Sequence, residues 1–199
     1  MKHSNIWIFE HSLILLALCA AGCFNEPEPA YKSVPAANRI YLSDKGLESV
    51  PAVNAEADYL NLDRNRLTNV VAVAQLTKLK WLRLNDNRLS SLPELKGLVN
   101  LRRIYLKNNR FAVVPEALKD LPALTDIDLS GNPIEEVPAW LAAKPGLKNL
   151  SFSRTQIRSL PDDLSAWRSL DCLQLGDLEL TLAEMARIRA ALPSVTVIF

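Results

Sequence analysis

The positions of the histidines and cysteines limit the catalytic chemistry of this 199-residue chain. Both histidines, His3 and His11, and two of the three cysteines, Cys19 and Cys23, fall within the first 23 residues, and the remaining thiol belongs to Cys172. Ser-His-Asp catalysis and Cys-His catalysis each need a histidine, and Cys/His zinc sites need several cysteines or histidines together. The chain after residue 23 has no histidine and one cysteine, so these three kinds of site are excluded there. No two of the six glycines have the spacing of a phosphate-binding loop either. We expect neither a metal nor a cofactor.

One pair of carboxylates, Asp126 and Asp128, is a candidate for the acid and the base of a catalytic site, because the two residues lie two positions apart on one predicted strand. Glycosidases hold two carboxyl groups on opposite sides of a substrate cleft, ~5 Å or more apart. Two positions of one strand on an open sheet do not form such a cleft. Arg103 and Tyr105, one strand away, are expected to lower the pKa of both carboxyls. We therefore predict that the chain is not an enzyme and that this pair binds charges across strands.

Charge is balanced over the whole chain but segregated along it. Lys and Arg number 23 against 22 Asp and Glu, a formal net charge of +1, which argues against the basic surface of a nucleic-acid-binding protein. Residues 78 to 110 contain nine Lys and Arg and two acids, whereas residues 111 to 140 contain six acids and one Lys. We expect an electrically bipolar molecule without a nucleic-acid partner.

A repeated pattern explains how the body of the chain positions its side chains. Copies such as "LKWLRLNDNRLSSLP" from Leu79 and "LRRIYLKNNRFAVVP" from Leu101 recur every 20 to 23 residues. The second apolar position of each copy falls at Ile40, Leu60, Leu82, Ile104, Ile127, Leu150, Leu173 and Val195. Apolar residues that alternate with polar ones indicate a short strand with one buried face, and stacked copies would form a parallel sheet.

Over about residues 37 to 199, the pattern resembles the leucine-rich-repeat family, whose form is LxxLxLxxNxLxxLP. The resemblance implies an α/β solenoid with a curved parallel sheet of about eight short strands, short helical or irregular convex segments and a C-terminal capping helix. It also implies that the repeat asparagines turn inward and bond the backbone of adjacent turns; these are Asn65, Asn87, Asn109 and Asn132.

The C-terminal helix has its own sequence signals. Thr181 and Glu184 have the spacing of a capping box, Met185, Ile188 and Leu192 lie on one face, and Pro193 would end the helix. We expect a final strand to follow, from Val195 to Phe199.

Three columns of side chains are expected on the concave face, where leucine-rich-repeat proteins usually bind partners, and the third is Ser43, Asp63, Asn85, Lys107, Ser130 and Ser153. The first column is Arg39, Tyr59, Trp81, Arg103, Asp126, Asn149 and Cys172. The second column is Tyr41, Asn61, Arg83, Tyr105, Asp128, Ser151 and Gln174. Trp, Tyr and Arg dominate protein-binding hot spots, so we predict a partner-binding site comprising Tyr41, Tyr59, Trp81, Arg83, Arg103 and Tyr105. In the alternative interpretation, these side chains only stack on one another and cover the sheet.

Three arginines each follow a repeat asparagine and should stack on one lateral edge of the solenoid. Arg66, Arg88 and Arg110 could hold an anionic polymer or an acidic protein edge. The alternative, which we favour, is that they pair with Asp63, Asp86, other nearby carboxylates and water.

The N-terminus resembles the signal peptide of bacterial lipoproteins. An apolar run from Leu13 to Ala21 is too short to span a bilayer, and the small residues Ala20, Ala21 and Gly22 precede Cys23 as in a lipobox. The resemblance implies a signal peptide at residues 1–22, a diacylglycerol on Cys23 and a tether over residues 23–38. The leucine-rich-repeat domain then covers residues 39–199. A plain secretory signal and an uncleaved anchor are the alternatives.

Together these features predict a lipoprotein of the bacterial cell envelope that binds a protein partner through its concave face, anchored to the outer or the inner membrane. Two other functions stay open. One is binding of an anionic envelope polysaccharide or lipid through the arginine edge, and the other is a structural spacer without a specific ligand.

Overall fold

The computed structural model describes residues 38–199, which form one open sheet of eight parallel strands. Each strand is three residues long and pairs only with the strands that precede and follow it in the sequence. The strands are β1 (Arg39–Tyr41), β2 (Tyr59–Asn61), β3 (Trp81–Arg83), β4 (Arg103–Tyr105), β5 (Asp126–Asp128), β6 (Asn149–Ser151), β7 (Cys172–Gln174) and β8 (Thr196–Ile198). The predicted fold class is confirmed. The signal peptide, Cys23 and the tether lie outside the described residues, apart from Asn38, and stay predictions.

The register of the sheet follows the repeat through seven strands. Ile40 pairs with Leu60, Leu82 with Ile104 and Leu150 with Leu173, so the second apolar position of each copy is the centre of its strand. The prediction for the last strand is wrong by two residues, because Leu173 pairs with Val197 rather than with Val195. The preceding helix replaces the usual convex segment and changes the length of the connection.

Short helical segments form the convex side. They are the 3-10 helices Val71–Gln75, Glu116–Leu118 and Ser165–Ser169, the helix α1 (Ala139–Ala142) and the longer C-terminal helix α2 (Leu182–Ala191). The core lies between them and the sheet and consists of the repeat leucines and isoleucines together with Phe111, Phe152 and Trp167. The Trp167 indole N–H donates to the carbonyl of Leu141 at 3.0 Å, so this large buried ring has no unsatisfied donor.

The C-terminal helix begins as the sequence predicts. The Thr181 hydroxyl accepts a hydrogen bond from the backbone N–H of Glu184 at 3.1 Å. The Glu184 carboxylate does not complete a capping box; it accepts instead from the Leu160 N–H at 2.8 Å and from the Arg187 guanidinium. The helix start is therefore tied to the previous turn, and Ile188 and Leu192 are buried beneath it.

The repeat asparagines turn inward, as the family resemblance implies. The Asn87 side-chain NH₂ donates to the carbonyls of Leu62 and Leu84, and its oxygen accepts from the Leu67 N–H at 3.1 Å. Asn65, Asn109 and Asn132 repeat this arrangement. Each amide joins two turns, so the corner that follows every strand is held in a fixed conformation.

The residue before this asparagine, or before its counterpart in the other repeats, has a positive φ in seven successive turns. These residues are Asp44, Arg64, Asp86, Asn108, Gly131, Arg154 and Asp177. A left-handed residue lets the chain leave the sheet sharply. The lateral edge that follows therefore has the same shape in each turn.

Candidate interaction surface

Side chains of the first column form a continuous series of contacts across five strands. The Tyr59 and Trp81 rings lie 5.9 Å apart, and the Arg103 guanidinium lies over the Trp81 ring, with its Cζ 4.4 Å from the ring centroid. Arg103 Nε also lies 3.7 Å from one carboxylate oxygen of Asp126, and the other oxygen accepts a hydrogen bond from the Asn149 side chain at 2.7 Å. The spacing of parallel strands, ~4.8 Å, brings large side chains of one column into contact.

The second column adds two contacts to this series. Tyr41 packs on Tyr59 with ring centroids 5.2 Å apart, and the Arg83 guanidinium lies over Tyr105 at 5.5 Å. The stacking foreseen in the alternative interpretation is therefore confirmed. Partner binding by the same residues stays a prediction.

Exposure differs sharply among the six predicted partner-binding residues. Tyr41 is 50% exposed, whereas Tyr59, Trp81 and Tyr105 are buried. The side chains of Arg83 and Arg103 are 32% and 21% exposed. Tyr41 and the two guanidinium groups are thus the most accessible members, and the buried rings lie beside them.

Arg83 has a partner that sequence reasoning assigned to the arginine edge. Its Nε donates to the Asp63 carboxylate at 2.7 Å, and the other Asp63 oxygen accepts from the Asn85 N–H at 2.8 Å. Burial raises the pKa of the Asp63 carboxyl, and the Arg83 charge opposes that rise. The spacing contained the signal, because Asp63 lies one strand before Arg83 and two residues further along its own turn.

Tyr105 lies in the interior of this surface. Burial raises the pKa of its hydroxyl to about 12, and the nearby Asp126 adds to the rise. The phenol is therefore neutral at physiological pH.

The carboxylates Asp126 and Asp128 are both buried in β5. Ser130 donates its N–H and its hydroxyl to one Asp128 oxygen, at 2.9 and 2.6 Å. The expectation that neighbouring side chains would lower the Asp128 pKa is wrong, because burial has the larger effect and raises it. Both carboxylates accept hydrogen bonds from their neighbours in the solenoid, as expected for side chains with a structural role.

The arginine edge differs from our favoured interpretation. Arg66, Arg88 and Arg110 are all exposed, and none makes an ion pair with any residue in the range 38–199. Asp63 pairs with Arg83, and Asp86 accepts a hydrogen bond from the Asn108 side chain. The expected pairing of these arginines with Asp63 and Asp86 is therefore wrong, because both carboxylates have other partners.

One buried cation was not predicted from the sequence. Lys144 is 8% exposed, and its ammonium donates to the carbonyls of Lys119 and Leu121 at 2.9 and 3.0 Å. Burial lowers the pKa of this ammonium. Its hydrogen bonds join two convex segments, which is a structural role that no sequence motif marks.

The described region has neither a membrane-spanning helix nor a metal-binding cluster. Between residues 38 and 199 there is no helix long and apolar enough to cross a membrane. The same residues contain no group of three or more His, Cys, Asp or Glu side chains placed to hold a metal ion.

Comparisons with known proteins agree with this architecture. Residues 77–134 match the family model for a leucine rich repeat, and no curated protein sequence matches the chain. Among solved structures, an internalin from Listeria monocytogenes superposes with a TM-score of 0.59 at 21% sequence identity. The superposition covers 73% of this chain and 48% of the internalin chain, so the chain spans about half the length of that protein. The likeness shows the fold.

Proposed function

We propose, starting from its leucine-rich-repeat solenoid fold, that the protein is an interaction module whose concave face binds a protein partner at the envelope membrane of a bacterium. The fold supports binding of a protein, since solenoids of this kind present long concave surfaces. The partner, the site and the membrane anchor are parts of the proposal.

The contact series of the first column is the observation that carries the proposal. From Tyr59 to Asn149, each side chain contacts the next through a tilted ring–ring contact, a cation–π contact, an ion pair or a hydrogen bond. Side chains that are held in place before binding lose little conformational freedom when a partner binds. Immobilising a mobile side chain on binding costs about 0.5–1.5 kcal/mol. A rigid surface rich in Tyr, Trp and Arg is typical of interface hot spots.

The site has two layers. Tyr41, Arg83 and Arg103 contact the partner directly, because their side chains are the accessible ones. The buried rings of Tyr59, Trp81 and Tyr105 contact Tyr41, Arg103 and Arg83, respectively, and fix their positions. The partner that fits is a protein whose surface presents carboxylates to the two guanidinium groups and an apolar side chain to Tyr41.

Photo-crosslinking in cells tests this site. A photoreactive amino acid at position 41 should capture one discrete protein, since Tyr41 is 50% exposed on the concave face. Val113 is 69% exposed and lies outside the strands, so the same amino acid at position 113 is the matched control. Adducts that are identical at both positions, or absent at position 41, would exclude the concave site.

Anchoring through Cys23 is the second part of the proposal. The small residues before Cys23 support cleavage there, and two acyl chains suffice for stable membrane attachment. We expect Cys23→Ser to lose acylation and to move the chain from the membrane fraction to the soluble fraction. Cys19→Ser is the matched control and should stay acylated. Acylation of Cys23→Ser, measured by mass spectrometry, would contradict the lipoprotein assignment.

A further inference from the structure

The lateral edge of the solenoid carries three arginines that the molecule itself leaves without an ion pair among the described residues. Arg66, Arg88 and Arg110, which we call the arginine ladder, follow β2, β3 and β4. Their backbone N–H groups donate to the carbonyls of Leu47, Leu67 and Leu89, one turn back in each case. They therefore occupy equivalent positions on successive turns, about 4.8 Å apart.

The backbone beneath the ladder is fixed. Asn87 and Asn109, the residues before Arg88 and Arg110, bond the backbone of the preceding turn through their side chains. The guanidinium groups therefore stand in line on a rigid support. Arginine forks arranged in this way favour a ligand with a row of carboxylates.

The same edge changes sign beyond the ladder. The Gln156 N–H donates to the Ile134 carbonyl just as Arg110 donates to Leu89, so the edge continues without a break in register. Four exposed carboxylates on it, which we call the acidic patch, line a cavity of about 720 Å³ together with Arg158, which forms a 3.3 Å ion pair with Glu179. The acidic patch is formed by Glu135, Glu136, Asp177 and Glu179.

We propose that this edge binds a second copy of the chain, with the arginine ladder of each copy facing the acidic patch of the other. A twofold axis between the turns of β4 and β5 exchanges the turn of β2 with that of β7 and the turn of β4 with that of β5. Arg66 then faces Asp177 and Glu179 of the other copy, and Arg110 faces Glu135 and Glu136. Arg88 faces Gln156, whose amide oxygen accepts a hydrogen bond.

Equal spacing of the turns makes this pairing self-complementary. Successive turns of the solenoid are separated by one strand spacing. When the solenoid axes of the two copies run in opposite directions, all of these pairs therefore come together at once, as a twofold interface requires. A linear polyanion is a poorer occupant, since the acidic patch would repel it beyond the turn of β4. The axis runs from the concave to the convex side, so both concave faces stay accessible.

Co-purification of two differently tagged full-length copies in detergent tests the proposal. We expect one copy to co-purify with the other at about 50 mM NaCl. The yield of the co-purified copy should fall at least about tenfold at about 500 mM, because salt screens exposed charges. A salt-insensitive yield, or no co-purification at low salt, would overturn the proposal.

Charge-reversed variants give the sharper test. Arg66→Glu with Arg88→Glu and Arg110→Glu should abolish association of that variant with itself, and so should reversal of the acidic patch to lysine. Mixing the two variants should restore association, because both halves of the interface are then attractive again. Lys78→Glu with Lys96→Glu and Lys119→Glu changes the net charge equally at exposed positions outside the edge and should have no effect.

Two results would assign the edge to something else. If the mixture of variants fails to associate although each is folded by circular dichroism, the second copy is not the occupant. If the natural chain binds inorganic polyphosphate through the arginine ladder and does not associate with itself, the edge is an anion site.

Discussion

The Arg103 guanidinium lies over the face of Trp81, with its Cζ 4.4 Å from the ring centroid, and its Nε faces Asp126 at 3.7 Å. Arg103 thereby joins the aromatic half of the concave face to its carboxylate half. A cation between a ring and a carboxylate is held from two sides, and its position is fixed before a partner arrives.

Trp81→Ala removes the ring on which Arg103 rests. We expect the affinity for the protein captured at position 41 to fall by about 2 kcal/mol, as for a hot-spot residue. Trp81→Phe keeps a ring and should lose less. Titration calorimetry measures the difference, with the exposed Arg102→Ala as a control of similar size. An affinity of Trp81→Ala that stays within about 0.5 kcal/mol of the natural chain would remove Trp81 from the site.

Asn87→Ala should lower the free energy of unfolding by about 3 kcal/mol, because it leaves buried backbone groups of Leu62, Leu67 and Leu84 without their side-chain partner. Urea unfolding measures this loss. Asn100→Ala removes an exposed amide and should change stability by no more than about 0.5 kcal/mol. Equal losses in the two variants would show that the inward amide contributes no special stability.

Gly131→Ala should cost more than Gly46→Ala, although both glycines have nearly the same positive φ. A Cβ at Gly131 would lie 2.2 Å from the Asn108 side-chain oxygen, whereas one at Gly46 would meet nothing within 4 Å. We expect about 2 kcal/mol against about 1 kcal/mol, the cost of a left-handed alanine. Because Asn108 is the obstacle, Asn108→Gly should remove the excess; an excess that persists would place the strain elsewhere.

Asp128→Asn should stabilise the protein at pH 7. Burial raises the pKa of Asp128 in the folded chain above its ordinary value, so the folded chain binds this proton more tightly than the unfolded chain. The Asp128 carboxyl therefore adds to the free energy of unfolding as the pH falls through its folded-state pKa, and this contribution is lost as the pH rises through that pKa. Asparagine keeps an oxygen that accepts both Ser130 hydrogen bonds and has no charge to desolvate.

The measurement is urea unfolding at pH 7 and near pH 4. The gain from Asp128→Asn should shrink at the lower pH, because the Asp128 carboxyl of the natural chain is then increasingly protonated and neutral. The exposed Asp120→Asn serves as the control. A gain that is independent of pH, or a loss at pH 7, would mean that burial does not disfavour the charged carboxylate.

Backbone features with a strict period could be predicted from the sequence. The centres of seven strands follow from the period of the apolar residues, because a buried leucine or isoleucine is needed once per turn, and the inward asparagines follow from the family resemblance. The register of β8 could not be predicted in this way, since helix α2 interrupts the period before it.

Side-chain partners on the surface were harder to predict. The repeat spacing places Asp63 near Arg83 as well as near the edge arginines, and the structure shows that the Asp63 carboxylate accepts a hydrogen bond from Arg83. The pKa of Asp128 depends on burial by neighbouring turns rather than on the nearest charge in the sequence. The left-handed residues were missed because Asp, Arg, Asn and Gly all occupy that position, so no residue type marks it.

The order of the strands has a consequence for how the chain acquires its structure. Each strand pairs only with its neighbours in sequence, so a chain emerging end first from a ribosome or a secretion channel can fold as it appears, without waiting for its C-terminus. The Leu67 N–H, however, is satisfied only when Asn87 arrives with the next turn. In the turns joined by the inward asparagines, the growing end is therefore incomplete until one further turn docks onto it.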